Sequence, residues 1–182
     1  MSDINPDYPH VAAEFFAWLL YISELEELEL EHPQLGPYSV HLQDRITFRS
    51  PSEERMRAVV IGDDAPNSPE TRAALASGKT IQEIKIHIAY AGNTIALTLR
   101  GAHMDISGLK IVEELREPAD ESSEAEEQAT MYLRMSMVDD IYSTVAHLFS
   151  VFARTRLQEQ WHNHTVQQLR AWIHDIEQEA VL

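Results

Sequence analysis

Three patterns in the sequence predict a single α+β domain built around an antiparallel sheet. Apolar residues recur every three to four positions at both ends of the chain, alternate every second position through its middle, and the middle segments are joined by short links. With 182 residues, 44% of them hydrophobic, the chain has the size of one domain and enough apolar material for a core.

The first element is a helix. Phe15, Trp18, Ile22 and Leu25 repeat at helical spacing between Val11 and Leu30, and Phe16, Leu19, Leu20 and Tyr21 make the first turns apolar almost all round. Such a helix is buried on several sides. Phe15, Phe16, Trp18, Leu19 and Tyr21 are therefore expected in the chain's own core or on a dimer or partner surface. His32-Pro33 and Gly36-Pro37 end the helix. Strand alternation follows through Tyr38, Val40 and Leu42, then Ile46 and Phe48, then Met56 to Ile61. After a loop at Gly62–Asn67, a short helix is marked by Ser68 as N-cap, Pro69 at its first position, Glu70 in its first turn and Gly78 as its stop.

The stretch from Ile84 to Ile88 alternates as a strand, and a turn at Gly92-Asn93 leads into Ile95–Leu99, which predicts a hairpin with one more strand after it. Residues 116–123 are polar and acidic and read as a linker. Ser123 and Glu126 have the form of a capping box at the start of a long helix. Its apolar face is Met131, Met135, Val138, Ile141, Val145, Leu148 and Phe152, which carries it to about Gln158, a length of roughly 50 Å that overhangs a small core. Asn163 is placed to cap a final helix with Val166, Leu169, Trp172, Ile173 and Ile176.

Composition narrows the chemistry. The absence of cysteine excludes a disulfide framework, thiolate catalysis and sulfur-ligated metal, and it fits a reducing compartment. The first residues lack a basic region, and the apolar run from Phe15 to Ile22 is far shorter than the roughly 20 residues that span a bilayer. A cytoplasmic location without membrane attachment is the expectation. The net charge of −16 opposes polyanionic partners, but it is unevenly distributed. Between residues 37 and 112 nine bases face eight acids, while the acids concentrate in Glu24–Glu31 and Glu113–Glu127.

No catalytic signature stands out, and no cofactor is called for. His162-Asn163-His164 offers two imidazoles to a metal, with His147 and Asp139-Asp140 as conceivable further ligands; surface histidines in a helix–helix turn have the same pattern. Asp139-Asp140 and the glutamates at 124–127 could serve a Mg²⁺-dependent nuclease or simply form a solvated helix face. Gly62–Asn67 lacks the alternating oxygen ligands and closing glutamate of a calcium loop. Arg45 and Arg49 share one strand face, as do Arg55 and Arg57, a spacing that suits either phosphate contacts or ordinary solvated sheet residues.

Several segments, in order, resemble one family, the bacterial recombination-associated RdgC proteins. Glu14-Phe15-Phe16-Ala17-Trp18-Leu19-Leu20-Tyr21 is similar to the family's E-F-x-x-W-L-x-Y segment. Ser68-Pro69-Glu70 through Ala73-Ala74-Leu75 to Gly78-Lys79 is similar to its S-P-E-x-x-x-A-L-x-x-G-K helix, and Gly108-Leu109-Lys110 to its G-L-K turn. The resemblance covers about residues 12–175 and corresponds to the middle and C-terminal part of the family chain. It implies a non-enzymatic, nucleoid-associated homodimer that binds double-stranded DNA without sequence preference and restrains RecA-driven recombination. Phosphate contacts would then come from Arg45, Arg49, Arg55, Arg57, Lys79, Lys85 and Lys110. The competing expectation is a module that keeps the fold, binds a recombinase or other protein, and has lost DNA.

Overall fold

The computed structural model describes residues 9–25, 28–50, 57–101, 103–111 and 124–175. The elements are α1 (Pro9–Leu25), β1 (Leu28–His32), β2 (Gly36–Arg49), β3 (Arg57–Ile61), α2 (Pro69–Ala76), β4 (Thr80–Tyr90), β5 (Asn93–Arg100), β6 (Asp105–Ile111), α3 (Glu124–Arg156) and α4 (Val166–His174). The α+β class and the antiparallel sheet expected from the sequence are both present. The residue 116–123 linker and the Ser123 cap lie outside the described residues.

The six strands run in the order β1-β2-β4-β5-β6, with β3 also paired to β2. β4 follows one side of β2 along most of its length, while β1 pairs with residues 36–40 and β3 with residues 45–49. β1 and β3 therefore lie end to end along the other side of β2. Helices cover one face of this sheet. Ile84, Ile86 and Ile88 of β4 and Ile95, Leu97 and Leu99 of β5 point toward Phe15, Phe16, Leu19 and Leu20 of α1 and Ile141, Leu148 and Phe152 of α3, and all of them are buried. Each such side chain contributes roughly 1.5–3 kcal/mol of transfer free energy. Phe15 and Phe152 meet edge-on at 5.4 Å, and Phe152 meets Trp161 in the same way at 5.6 Å.

Several expectations are corrected. Phe15, Phe16, Trp18 and Leu19 are not a partner surface: all four are buried in the chain's own core, because the sheet covers one side of α1 and α3 and α4 cover others. Tyr21 is half-buried with its ring against Trp172. The first helix stops at Leu25, and Leu28-Glu29-Leu30-Glu31-His32 is a strand. Its leucines fit a period of two as well as the helical one, and pairing with Gly36–Val40 settles the choice. On α3, Met131 and Met135 are more than half exposed and Met137 is buried, since the helix reaches the core only from Met137 onward. Asn163 caps nothing. It sits inside a π-helical turn, Trp161–Thr165, that runs directly into α4. The hairpin turn lies one residue earlier than expected: Ala91 and Gly92, both at positive φ, join Tyr90 to Asn93.

Ser68 caps α2 as expected, with its side-chain oxygen accepting from the Thr71 N–H at 3.3 Å. α2 in turn anchors the helical layer. Arg72 is buried, donates to Glu24 at 2.9 Å and lies over the Trp172 ring, while Trp172 Nε1 donates to the other oxygen of Glu24. This ties α1, α2 and α4 together, and the lone arginine of α2 gave no sequence signal for it.

Candidate nucleic-acid interface

No described element covers the second face of the sheet. The registers fix which side chains it carries. Across β2 and β3, Arg45, Thr47 and Arg49 stand opposite Ile61, Val59 and Arg57, on the side away from the buried Ile46 and Phe48. Across β2 and β4, Ser39 and His41 oppose Ala89 and His87. Glu83, Lys85 and His87 oppose Arg100, Thr98 and Ala96 on β5, and these stand beside Asp105, Ser107 and Lys110 on β6. Strand alternation thus gathers Arg45, Arg49, Arg57, Lys85, Arg100 and Lys110 on one face.

Five of these six cations were expected from the sequence. Arg100 was missed, although the alternation of Ile95, Leu97 and Leu99 against Thr94, Ala96, Thr98 and Arg100 carried the signal. Lys79 does not join them. It precedes Thr80, the partner of Arg49, and lines a separate cleft between β3 and α2. Arg55 lies outside the described residues.

A cleft of about 470 Å³ opens on this face, lined by Asp44, Arg45, Thr47, Ile61, Glu83, Lys85, Thr98 and Arg100. Asp44 reaches it because β2 accommodates extra residues between Leu42 and Ile46, where the register with β4 shifts. Lys85 pairs with Asp44 and Arg100 with Glu83, each at 3.4 Å. Both pairs are partly exposed, so each is worth at most about 1 kcal/mol and is readily exchanged for another anion. At the base of the cleft Thr47 is only 4% exposed, and its Oγ1 has no hydrogen-bond partner among the described residues. A buried hydroxyl left unsatisfied costs about 1–3 kcal/mol. His87 is held below the ordinary histidine range by burial first, then by Lys85 and His41, with Asp44 opposing.

Other constellations are structural. His32 Nδ1 accepts from the backbone N–H groups of Gln34 and Leu35 at 3.2 and 3.1 Å, which leaves the ring proton on Nε2, 3.1 Å from Ser143 Oγ. The ring therefore donates to Ser143 and is not placed to take its proton, so this pair is not wired as base and nucleophile. His147 hydrogen-bonds Tyr38 at 3.0 Å and is also shifted down, by burial, His32 and Arg154. Asp140 accepts from Tyr90, whose phenol is pushed up to about 12 by burial and by that carboxylate. His162 and His164 are exposed, and no metal-binding cluster forms among the described residues. No helix among them is long and apolar enough to cross a membrane.

Comparison with protein-family models, with curated proteins and with solved structures found no match.

Proposed function

We propose that this chain is a non-enzymatic protein that binds double-stranded DNA through the open face of its sheet, without sequence preference, in the manner the resemblance to RdgC implies. The observation that carries this reading is the gathering of Arg45, Arg49, Arg57, Lys85, Arg100 and Lys110 on one face that no described element covers, in an otherwise acidic molecule. Phosphate oxygens accept from guanidinium and ammonium groups wherever these are presented, and such contacts position a protein on DNA without reading bases. Nothing on this face resembles a reader of base edges. Among the described residues no helix or ribbon projects from it, and its groups spread over β2 to β6. The role fits modulation of recombination or nucleoid structure in the cytoplasm.

The remaining acidic surface keeps the bound duplex to this one face by repulsion elsewhere. Replacing Arg45, Arg49 and Arg57 together by Glu is expected to abolish the shift of a labelled duplex in a mobility assay while far-UV circular dichroism stays unchanged. Unchanged binding would remove the assignment.

A second reading has its own observation. Met131, Tyr132, Leu133 and Met135 are 49–65% exposed on the part of α3 that precedes its first buried residue, Met137. An apolar, methionine-bearing helix end suits a protein partner. Under this reading the duplex does not bind at any salt concentration.

A further inference from the structure

We infer that the cleft lined by Asp44, Arg45, Thr47, Glu83, Lys85 and Arg100 is a binding site for a small sugar phosphate, a phosphomonoester that carries free hydroxyl groups. The inference rests on the cleft alone and stands whether or not the open face holds DNA.

The cleft differs from a solvated sheet face in three ways. Along a regular strand Asp44 and Arg45 would point to opposite faces. Between Leu42, opposite Ile86, and Ile46, opposite Ile84, β2 instead fits Gln43, Asp44 and Arg45 against Lys85 alone, and both Asp44 and Arg45 line the cleft. Thr47 shares the cleft with these charged side chains, yet its Oγ1 is buried and has no hydrogen-bond partner among the described residues. Valine would fill the same space without leaving a hydroxyl unmet. The ion pairs are also loose. Lys85 and Arg100 hold Asp44 and Glu83 at 3.4 Å, against roughly 2.7–2.9 Å for a close charge-assisted bond. Arg45 pairs with no carboxylate among the described residues.

These groups select the ligand. Arg45, Lys85, Arg100 and the Thr47 hydroxyl all donate to phosphate oxygens. Asp44 and Glu83 repel a bare phosphate but accept from hydroxyl groups, so a phosphate carried on a sugar satisfies both signs of charge. The volume of about 470 Å³ lies within the range of small-molecule sites. A terminal phosphate enters such a cleft end-on, as a near-dianion at neutral pH, and offers three oxygens. A phosphodiester of a duplex offers two and carries a sugar on either side. Lys85, Asp44 and Arg100 are 41%, 50% and 52% exposed in their side chains and free to swing onto the ligand. That movement opens the Thr47 hydroxyl to a phosphate oxygen, the acceptor it lacks.

The test is isothermal titration calorimetry of the full chain at neutral pH with ribose 5-phosphate, and with ribose, inorganic phosphate and dimethyl phosphate as partial ligands. Ribose 5-phosphate should bind with a submillimolar Kd, at least about tenfold more tightly than any of the three. Thr47→Val should weaken it by about tenfold without lowering the urea midpoint. Arg45→Gln, at an exposed residue, should weaken it as well, and Asp44→Ala should narrow the gap between ribose 5-phosphate and inorganic phosphate. Three results would each overturn the site: no heat of binding with ribose 5-phosphate at about 10 mM, equal affinity for dimethyl phosphate, whose diester chemistry is that of a nucleic-acid backbone, or undiminished binding by folded Thr47→Val and Arg45→Gln. A chain that binds ribose 5-phosphate and no duplex would keep this site and remove the DNA-binding reading.

Discussion

Arg49 and Arg57 stand directly opposite each other across the β2–β3 ladder, two guanidinium groups on the same exposed face of the sheet. Like charges directly opposite each other repel, and a bound anion reduces whatever repulsion the other partners of Arg49 leave. Arg57→Thr is therefore expected to stabilise the protein by up to about 1 kcal/mol. That raises the melting temperature by roughly 1–4 °C at this chain length. The same substitution should weaken duplex binding, with calorimetry and anisotropy measured on one preparation. A loss of both stability and binding would mean that Arg57 serves the fold.

Thr47 leads to a parallel expectation. Its buried hydroxyl has no partner among the described residues. Thr47→Val removes that unmet demand and should stabilise the protein by about 1 kcal/mol in urea unfolding. It should lower duplex affinity only if an anion normally reaches this hydroxyl.

His87 and His147 are both held below the ordinary histidine range, first by burial. The unfolded chain therefore takes up protons on these rings at a higher pH than the folded chain does. Their contribution to stability is fully present above about pH 6.5 and is lost as the pH falls through their lower folded values. The urea midpoint should fall between pH 7.5 and 5.5, and the double variant His87→Gln/His147→Gln should flatten that fall. Duplex affinity should move the other way, because protonated His87 adds charge to the open face.

Glu24 provides a control separate from the proposed DNA-binding face. It holds Arg72 and Trp172 at the junction of α1, α2 and α4. Glu24→Ala leaves a buried guanidinium uncompensated and should cost roughly 3 kcal/mol of stability. At a temperature where the variant is folded, duplex affinity should equal that of the wild type.

The parts of the fold that could be read from the sequence were those where local pattern and tertiary demand coincide. Ser68-Pro69-Glu70 opens α2, Ile84, Ile86 and Ile88 face the core, and Arg45, Arg49 and Arg57 share one face, since a period of two admits no other arrangement. Leu28 and Leu30 were assigned to a helix because two leucines fit either period, and only the distant strand Gly36–Val40 decides between them. Phe15 and Trp18 advertised burial without naming what buries them, and the answer lay more than a hundred residues away in Phe152. Arg72 and Glu24 are 48 residues apart, and no local signal joins them.

The most direct test of DNA binding is a fluorescence-anisotropy titration of labelled duplexes of about 30 base pairs and unrelated sequence, at ionic strengths from about 20 to 200 mM. The expected result is equal affinity for the different sequences, falling with salt at a log–log slope of roughly −2 to −5, the signature of a few phosphates engaged by the open face. Absence of binding at the lowest salt would contradict this reading and leave the exposed end of α3 as the surface to pursue.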